Sequence, residues 1–438
     1  MCACRNTPGC LVPEHLLLSV SEGHIVRNLL ENCLLDRLLE RSFEVTLLTP
    51  AYAIPAFRER WEQPGVRLEK LLPFESSKAQ RRLAHVRRRL AKRGSRALAR
   101  RLLARERRMA SNGSKAYKEV LDANPWSLML ATHIHLHVEV PLVNAAYVRG
   151  IPTLGIVNSW DNVYKGIRAH PDHAVVWNEI NKREMIEFEG YEARKVSAIG
   201  TPAFDPYFRP DTLWPREDFC RHFGFDPARP IILHATAGQY VKYFEETYLL
   251  EVLLRGIREN HFAPRPQILC RLHPHTKRDF FEPYRAHPDV RFSRYEHHVP
   301  TLGWCPTREE VVLAANILHH SAVCVSPGST MALEAAIFDT PTLVPVFNDY
   351  QPEVWDDYYA RYCLAWHFGR LVQEQMLPVA RSYKEMIDWV NRYLADASLY
   401  KQGRRRIVEE YVQFTDGRAV ERLADMARQI ADGEAPGV

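Results

Sequence analysis

The sequence predicts an α/β protein built from two tandem Rossmann-like, doubly wound domains facing a cleft. Three observations carry that prediction. Short apolar runs alternate with stretches of helical apolar spacing along most of the chain, the pattern of βαβ units and a mostly parallel sheet. A cluster of Pro, Gly and Asp, from Gly200-Thr201-Pro202 through Asp205-Pro206 to Asp211, interrupts the alternation as a linker does. At 438 residues the chain has room for two or three domains of ordinary size. Ligands of such sheets bind outside the C-terminal strand ends, so two facing domains would bind in the cleft between them.

In the first series, 15–20 reads as a strand and Glu22-Gly23-His24 as a turn. Residues 25–39 carry Ile25, Leu29, Leu30, Cys33, Leu35, Leu38 and Leu39 at helical spacing, and 43–48 is a second strand ending at Thr49-Pro50. After a basic stretch come strand 126–131, helix 138–147, strands 152–157 and 174–177, helix 178–189 and strand 195–199. The second series begins with strand 230–235, helix 243–260 and strands 267–272 and 290–293. It goes on with helix 308–316, strand 322–325, helix 331–338 and strand 342–346, and 383–394 and 401–431 are helical. The resulting division is a disordered N-terminus at 1–12, a first domain at 13–205 with a basic helical insert at 76–110, and a second domain at 212–400. Residues 401–438 form a C-terminal helix free to pack back on the first domain.

With 46% hydrophobic and 25% charged residues the chain reads as soluble and globular. No run approaches twenty apolar residues, and the first ten residues lack an apolar h-region, so neither a transmembrane helix nor a secretory signal is expected. Nine cysteines, an odd and scattered set, suit reduced thiols in a cytoplasmic protein. Cys2, Cys4 and Cys10 read either as a metal clamp or as part of a frayed end.

The net charge of +5 hides an asymmetry. Residues 78–108 hold fourteen Lys or Arg and one acid, Glu106, so the remainder of the chain is acidic. Within that segment Leu83, Val86, Leu90, Leu98 and Leu102 recur at spacings near four, with Gly94 completing the row. This is an amphipathic, Arg-rich helix or helix pair. It reads as a solvated outer face or as a surface for anionic lipid or an anionic acceptor, which would make the protein peripheral at the inner face of the plasma membrane. No aromatics interleave with the cations, so no nucleic-acid partner is expected.

The densest chemistry lies near residue 320. Strand 322–325 runs into Ser326-Pro327-Gly328-Ser329-Thr330 and then a helix. Ser329 or Thr330 is a good N-cap, and a helix start with free N–H groups suits a phosphate. Glu334, one turn on, could reach a ribose diol. Arg271-Leu272-His273-Pro274-His275 follows strand 267–270 at another C-terminal strand end. There Arg271 can bond phosphate oxygens in bidentate fashion, and an imidazole of His273 or His275 can donate one more hydrogen bond. Ala235-Thr236-Ala237-Gly238-Gln239 follows the first strand of the second series, where Thr236 and Gly238 could offer N–H groups to the same phosphate.

Taken with Ala198-Ile199-Gly200-Thr201-Pro202-Ala203-Phe204-Asp205, these motifs resemble GT-B fold glycosyltransferases, in the branch with CDP-glycerol glycerophosphotransferases and UDP-N-acetylglucosamine 2-epimerase-like proteins. The linker is similar to the Gly-x-Pro-x-x-Asp segment of those proteins. Where the glycerophosphotransferases have an Asp-Tyr-Ser-Ser-type turn, this chain has Ser-Pro-Gly-Ser-Thr. The resemblance implies that Arg271, His273, Ser329 and Thr330 hold a nucleotide diphosphate and that Glu334 faces the ribose. It also implies a metal-independent, inverting transfer from a nucleotide-sugar donor, with no bound cofactor. UDP, CDP, GDP, dTDP and CMP types all stay open. The acceptor would be a surface-glycan, lipid-linked or natural-product hydroxyl. A glycerophosphotransferase, a UDP-sugar 2-epimerase and a non-catalytic sugar-nucleotide binder are the alternatives.

Three further groups lie in the first series. Many GT-B transferases take the acceptor proton on a Gly-His pair after the first strand, which here is Gly23-His24; Glu22 is the reserve. The bland reading is a helix start capped by Ser21 or Glu22. Asn158-Ser159-Trp160-Asp161-Asn162 offers an aromatic plate, a carboxylate and an amide suited to a sugar. Asp161 is therefore a second candidate base, against an Asx-turn with a packed Trp. His133, His135 and His137 share a face only if their strand continues; no metal is expected.

Overall fold

The computed structural model describes residues 14–74, 77–108, 117–236, 247–349 and 366–434. Cys2, Cys4, Cys10 and Gly238 lie outside the described residues, as do 1–12. The chain divides into two compact units. Unit 1 comprises Met1–Ala203, His298–Cys305 and Arg418–Val438, and unit 2 comprises Phe204–His297 and Pro306–Gly417.

Unit 1 holds a seven-stranded parallel sheet of β1 (Glu14–Ser19), β2 (Phe43–Thr49), β3 (Val66–Lys70), β4 (Trp126–Ala131), β5 (Thr153–Ile156), β6 (His173–Val176) and β7 (Val196–Ala198). The order is β3-β2-β1-β4-β5-β6-β7, so the winding reverses between β1 and β4. Alternate residues point to opposite faces of a strand. Leu16 and Leu18 accordingly join one buried cluster with Val45 and Leu47, and Leu17 joins the other with Leu48 and Met129. β3 escapes sequence reading because Arg67, Glu69 and Lys70 alternate with its two buried residues, Val66 and Leu68, as suits an edge strand.

A 3₁₀ segment, Pro202–Phe208, carries the chain from unit 1 into unit 2, which starts at Phe204, and occupies much of the expected linker. Its sheet starts with β8 (Ile231–Ala235), β9 (Gln267–Arg271) and β10 (Val290–Ser293). An antiparallel pair, β11 (His298–Val299) and β12 (Gly303–Trp304), then belongs to unit 1. Back in unit 2 come β13 (Val323–Val325), β14 (Thr342–Pro345) and β15 (Val379–Ala380). The order is β10-β9-β8-β13-β14-β15, with the reversal between β8 and β13. β15 has only two residues and gives no periodicity to read.

Three helical expectations need correction. The helix at 25–39 breaks at Cys33, which has φ +68°. Buried Asn32 donates to the carbonyls of both Asn28 and Pro202, drawing the chain out of the helix. The single C-terminal segment 401–438 also divides. Lys401–Ile407 and the following π turn belong to unit 2, whereas Ala419–Ala431 belongs to unit 1. Gln413 at φ +63° and Gly417 at φ +67° make the break. In the latter helix Val420, Leu423, Ala424, Ala427 and Ile430 join the core beside Leu16 and Leu128.

The basic insert is a helix pair, Lys78–Lys92 and Arg96–Arg108. Ser77 and Gln80 form a capping box at its start, and Gly94, at φ +80°, is the turn between the helices rather than a member of an apolar row. The leucine-rich stripe is not the buried face, since Val86 is 49% and Leu98 46% exposed. Ala84, Arg87, Ala91, Ala99 and Leu103 are buried instead. Arg87 decides the orientation: its guanidinium, 0% exposed, bonds Glu189 at 2.7 Å and Glu106 at 2.9 Å. A buried cation needs such partners, and periodicity counts only apolar residues. Among the described residues no helix is long and apolar enough to cross a membrane.

Candidate functional site

The reversal point of an open parallel sheet is where its loops part and a ligand can enter. In unit 1 the loop after β1 carries Glu22 and His24, and the segment after β4 carries His133. His24 Nδ1 lies 3.0 Å from Glu22 Oε2, and His133 Nδ1 lies 3.9 Å from the same oxygen. The rings of His24 and His133 meet edge to face at 5.1 Å. His24 also stacks on Trp304, with ring centroids 6.1 Å apart. Gly23 makes that approach feasible. A Cβ there would lie 2.2 Å from the Trp304 carbonyl oxygen, and the Gly23 N–H donates to the Leu302 carbonyl. The glycine of the Gly-His pair is thus a packing requirement.

Burial, reinforced by His24 and His135, holds the His133 imidazole well below its usual range. Its Nδ1 is buried and makes no hydrogen bond among the described residues. Glu22, His24 and His133 each bring one ligand atom within 4.8 Å of the others, so they could hold a metal ion. The three histidines of 133–137 do not converge. His135 Nδ1 lies 2.7 Å from the Gly166 carbonyl, and His137 begins a 3₁₀ turn, His137–Glu139.

Sequence reasoning missed Glu139. It is wholly buried, accepts from Ser19 Oγ at 2.6 Å, and burial pushes its carboxyl up to about 7. The Thr132 hydroxyl donates to the Ser19 carbonyl, so Ser19 ties the end of β1 to β4 and to Glu139. The available signal was a lone acid in the apolar run Val138-Glu139-Val140-Pro141-Leu142.

Asp161 forms a separate group. Its Oδ1 accepts from Ser159 Oγ at 2.7 Å and Asn162 Nδ2 at 3.3 Å, and Lys165 pairs with Oδ2. All three contacts favour the anion. Trp160 is buried, so its ring is packed rather than offered as a plate for a sugar.

In unit 2 the reversal lies between β8 and β13. Arg271 is the last residue of β9, not part of the turn, and is buried. Its guanidinium lies 4.5 Å from the centre of the Tyr295 ring, and Nη1 donates to Ser293 Oγ. Thr236, just after β8, pins the next turn. Its Oγ1 accepts from the His273 N–H at 2.8 Å and bonds Thr276 Oγ1 at 2.9 Å. Burial, then His275 and Arg271, lowers His273 to about 4. The neutral ring accepts from the His275 N–H at Nδ1, which leaves its proton on Nε2 as a donor. His275 itself is exposed.

Ser326 through Thr330 link β13 to the helix Met331–Ile337. Gly328 has φ +79°, and Ser326 Oγ and Ser329 Oγ are 3.3 Å apart. Ser329, rather than Thr330, caps the helix side chain to backbone, accepting from the Met331 N–H. The N–H groups of Ser329 and Thr330 make no hydrogen bond among the described residues. Glu334 accepts from the Tyr207 hydroxyl through Oε2, which leaves Oε1 to a ligand.

No protein-family model matches the chain, and no curated protein matches it in sequence. Solved structures do match over nearly its whole length. The UDP-GlcNAc 2-epimerase from Neisseria meningitidis bound to UDP-GlcNAc is 11% identical, with a TM-score of 0.57 over 94% of this chain and 98% of its own. A glycosyltransferase from Rickettsia africae ESF-5 is 10% identical, with a TM-score of 0.53 over 95% and 98%. The wall teichoic acid polymerase TagF is 9% identical, with a TM-score of 0.53 over 96% and 89%. At such identities the shared property is architecture. Two parallel-sheet Rossmann-like units, matched along nearly the whole chain by these structures, make this a protein of the GT-B fold.

Proposed function

We propose that this chain is a glycosyltransferase that moves a sugar from a nucleotide-sugar to a hydroxyl of a surface-glycan, lipid-linked or natural-product acceptor. The observation that carries the reading is in unit 2. There the strands on either side of β8 present a neutral His273 with its Nε2 proton as donor and the N–H groups of Ser329 and Thr330, which make no hydrogen bond among the described residues. Fixed donors of this kind stabilise the charge that develops on a leaving diphosphate. Arg271 adds a guanidinium, and Glu334 Oε1 is the acceptor for a ribose hydroxyl. In unit 1, His24 is the base. With its Nδ1 proton toward Glu22, its Nε2 is left to take the acceptor proton. Asp161 is the weaker candidate because three groups already engage it.

Replacing Arg271 or His273 by Ala lowers turnover by at least about tenfold. Unchanged turnover in both variants would sink the assignment. A thermal-shift series with UDP, CDP, GDP, dTDP and CMP identifies the nucleobase, since a ligand of the native state raises the midpoint. Binding without donor consumption by any acceptor would instead indicate a sugar-nucleotide binder.

One observation favours a second reading, a UDP-sugar 2-epimerase. Such a reaction needs carboxyl groups to move protons, and unit 1 places Glu139, held near neutrality, on the segment that carries His133. Product analysis separates the two readings: free nucleotide and glycosylated acceptor for transfer, an isomerised sugar for epimerisation.

A further inference from the structure

Unit 1 contains a cavity of about 310 Å³ between the basic helix Lys78–Lys92 and the segments that follow β4 and β5. Its walls include Arg81, Arg88, Lys165 and Arg168 against one carboxylate, Glu106. Much of this charge is already matched. Glu189 pairs with Arg87 at 2.7 Å and Arg88 at 2.8 Å, Glu106 pairs with Arg87, and Lys165 pairs with Asp161. Arg81 and Arg168 are different. Neither guanidinium has a hydrogen bond or ion pair among the described residues.

Arg168 is half-buried, and burial, then the neighbouring Arg88, holds it below the usual guanidinium range. The fold makes room for this like-charge approach. Gly166 has φ +104°, and a Cβ there would lie 2.5 Å from Arg88 Nη1 and 3.1 Å from Arg168 Nη1. Two guanidiniums therefore converge over one glycine. The wall also carries the amide side chain of Asn144, a residue only 5% exposed. A half-buried guanidinium without a direct partner is costly, and an oxyanion in the cavity would meet both that cation and the Asn144 amide.

We propose that this cavity binds a phosphate group carried on a small polar headgroup, with Arg168 and Arg81 as its cationic partners and Asn144 as a neutral donor. Arginine forks suit phosphate oxygens, and the volume accommodates a phosphate with a small polyol or sugar attached. The site is distinct from the nucleotide-holding residues of unit 2 and does not depend on their assignment.

The test is calorimetric titration of the full chain with inorganic phosphate and with glycerol 3-phosphate at fixed ionic strength. Arg168→Ala, Arg81→Ala and His273→Ala variants are run in parallel, with circular dichroism to verify folding. The expected result is saturable binding weakened about tenfold by Arg168→Ala and measurably by the exposed Arg81→Ala, but retained in His273→Ala. Binding lost only in His273→Ala, or absent from the wild type, overturns the proposal. A second arm uses vesicles of phosphatidic acid in phosphatidylcholine. Vesicle binding that falls with Arg168→Ala identifies a lipid headgroup as the source. Vesicle binding indifferent to both Arg variants, with no free phosphate bound, overturns the cavity in favour of a diffuse basic face.

Discussion

The reversal points of the two sheets share a topology and differ in what they present. In unit 1 the loops after β1 and β4 gather Glu22, His24, His133 and Glu139, two carboxyls and two imidazoles. In unit 2 the ends of β8, β9 and β13 gather a guanidinium over a tyrosine ring, a histidine held neutral, hydroxyls and backbone N–H groups. One group is rich in acids and imidazoles, the other in fixed hydrogen-bond donors. Burial lowers both His133 and His273. The physical difference is that unit 1 also buries a carboxyl on the segment that carries its imidazole, whereas unit 2 surrounds its histidine with groups that fix its tautomer.

The contrast can be broken most directly through Glu139. Its folded value of about 7 lies above the ordinary carboxyl range, so the folded state binds the extra proton. The associated stability is present below pH 4.5 and is lost as pH rises through 7. The loss is on the order of 3 kcal/mol by pH 8. Glu139→Gln should remove this slope; urea melts from pH 5 to 8 with the same slope in both proteins would contradict it. Next in size is His24. His24→Ala is expected to lower turnover about a hundredfold, with nucleotide affinity on unit 2 unchanged; a loss of nucleotide binding instead would show that the two sites do not divide the work. The smallest effect is on unit 2. His273, lowered to about 4, stays neutral in the fold while the unfolded chain protonates near 6.5. Its contribution is therefore lost as pH falls, by about 2 kcal/mol between pH 7 and 5. His273→Gln should flatten that part of the acid limb, and an unaltered limb would place the acid sensitivity elsewhere, with buried His133 the first suspect.

The parallel strands and the chemistry at their ends are legible in the sequence because both depend on local pattern. β1, β2 and β9 are apolar runs, and Gly23-His24, Arg271 through His275 and Ser326 through Thr330 each follow a strand directly. Long-range pairings escape that kind of reading. Arg87 is buried because of Glu106 and Glu189, and no helical period announces this. Glu139 looks like an ordinary residue at a helix start until Ser19, some 120 positions earlier, is found against it. Trp160 reads as a sugar platform, and only packing shows that its faces are occupied.

The excursion of β11 and β12 and the final helix bear on how the molecule is made. Val299, Leu302 and Cys305 stand in the same core as Leu16, Leu47 and Val420. A ribosome that has delivered everything through Ala203 has therefore not yet supplied all of unit 1. The earlier part must wait, with Leu16, Leu128 and Leu423's future place exposed, until the strand pair and Ala419–Ala431 have emerged. A fragment cut after Ala203 should be short of core and prone to aggregate, whereas one carrying unit 2 alone requires three excisions, of Met1–Ala203, His298–Cys305 and Arg418–Val438. The two units are interleaved along the chain and therefore in the order of synthesis.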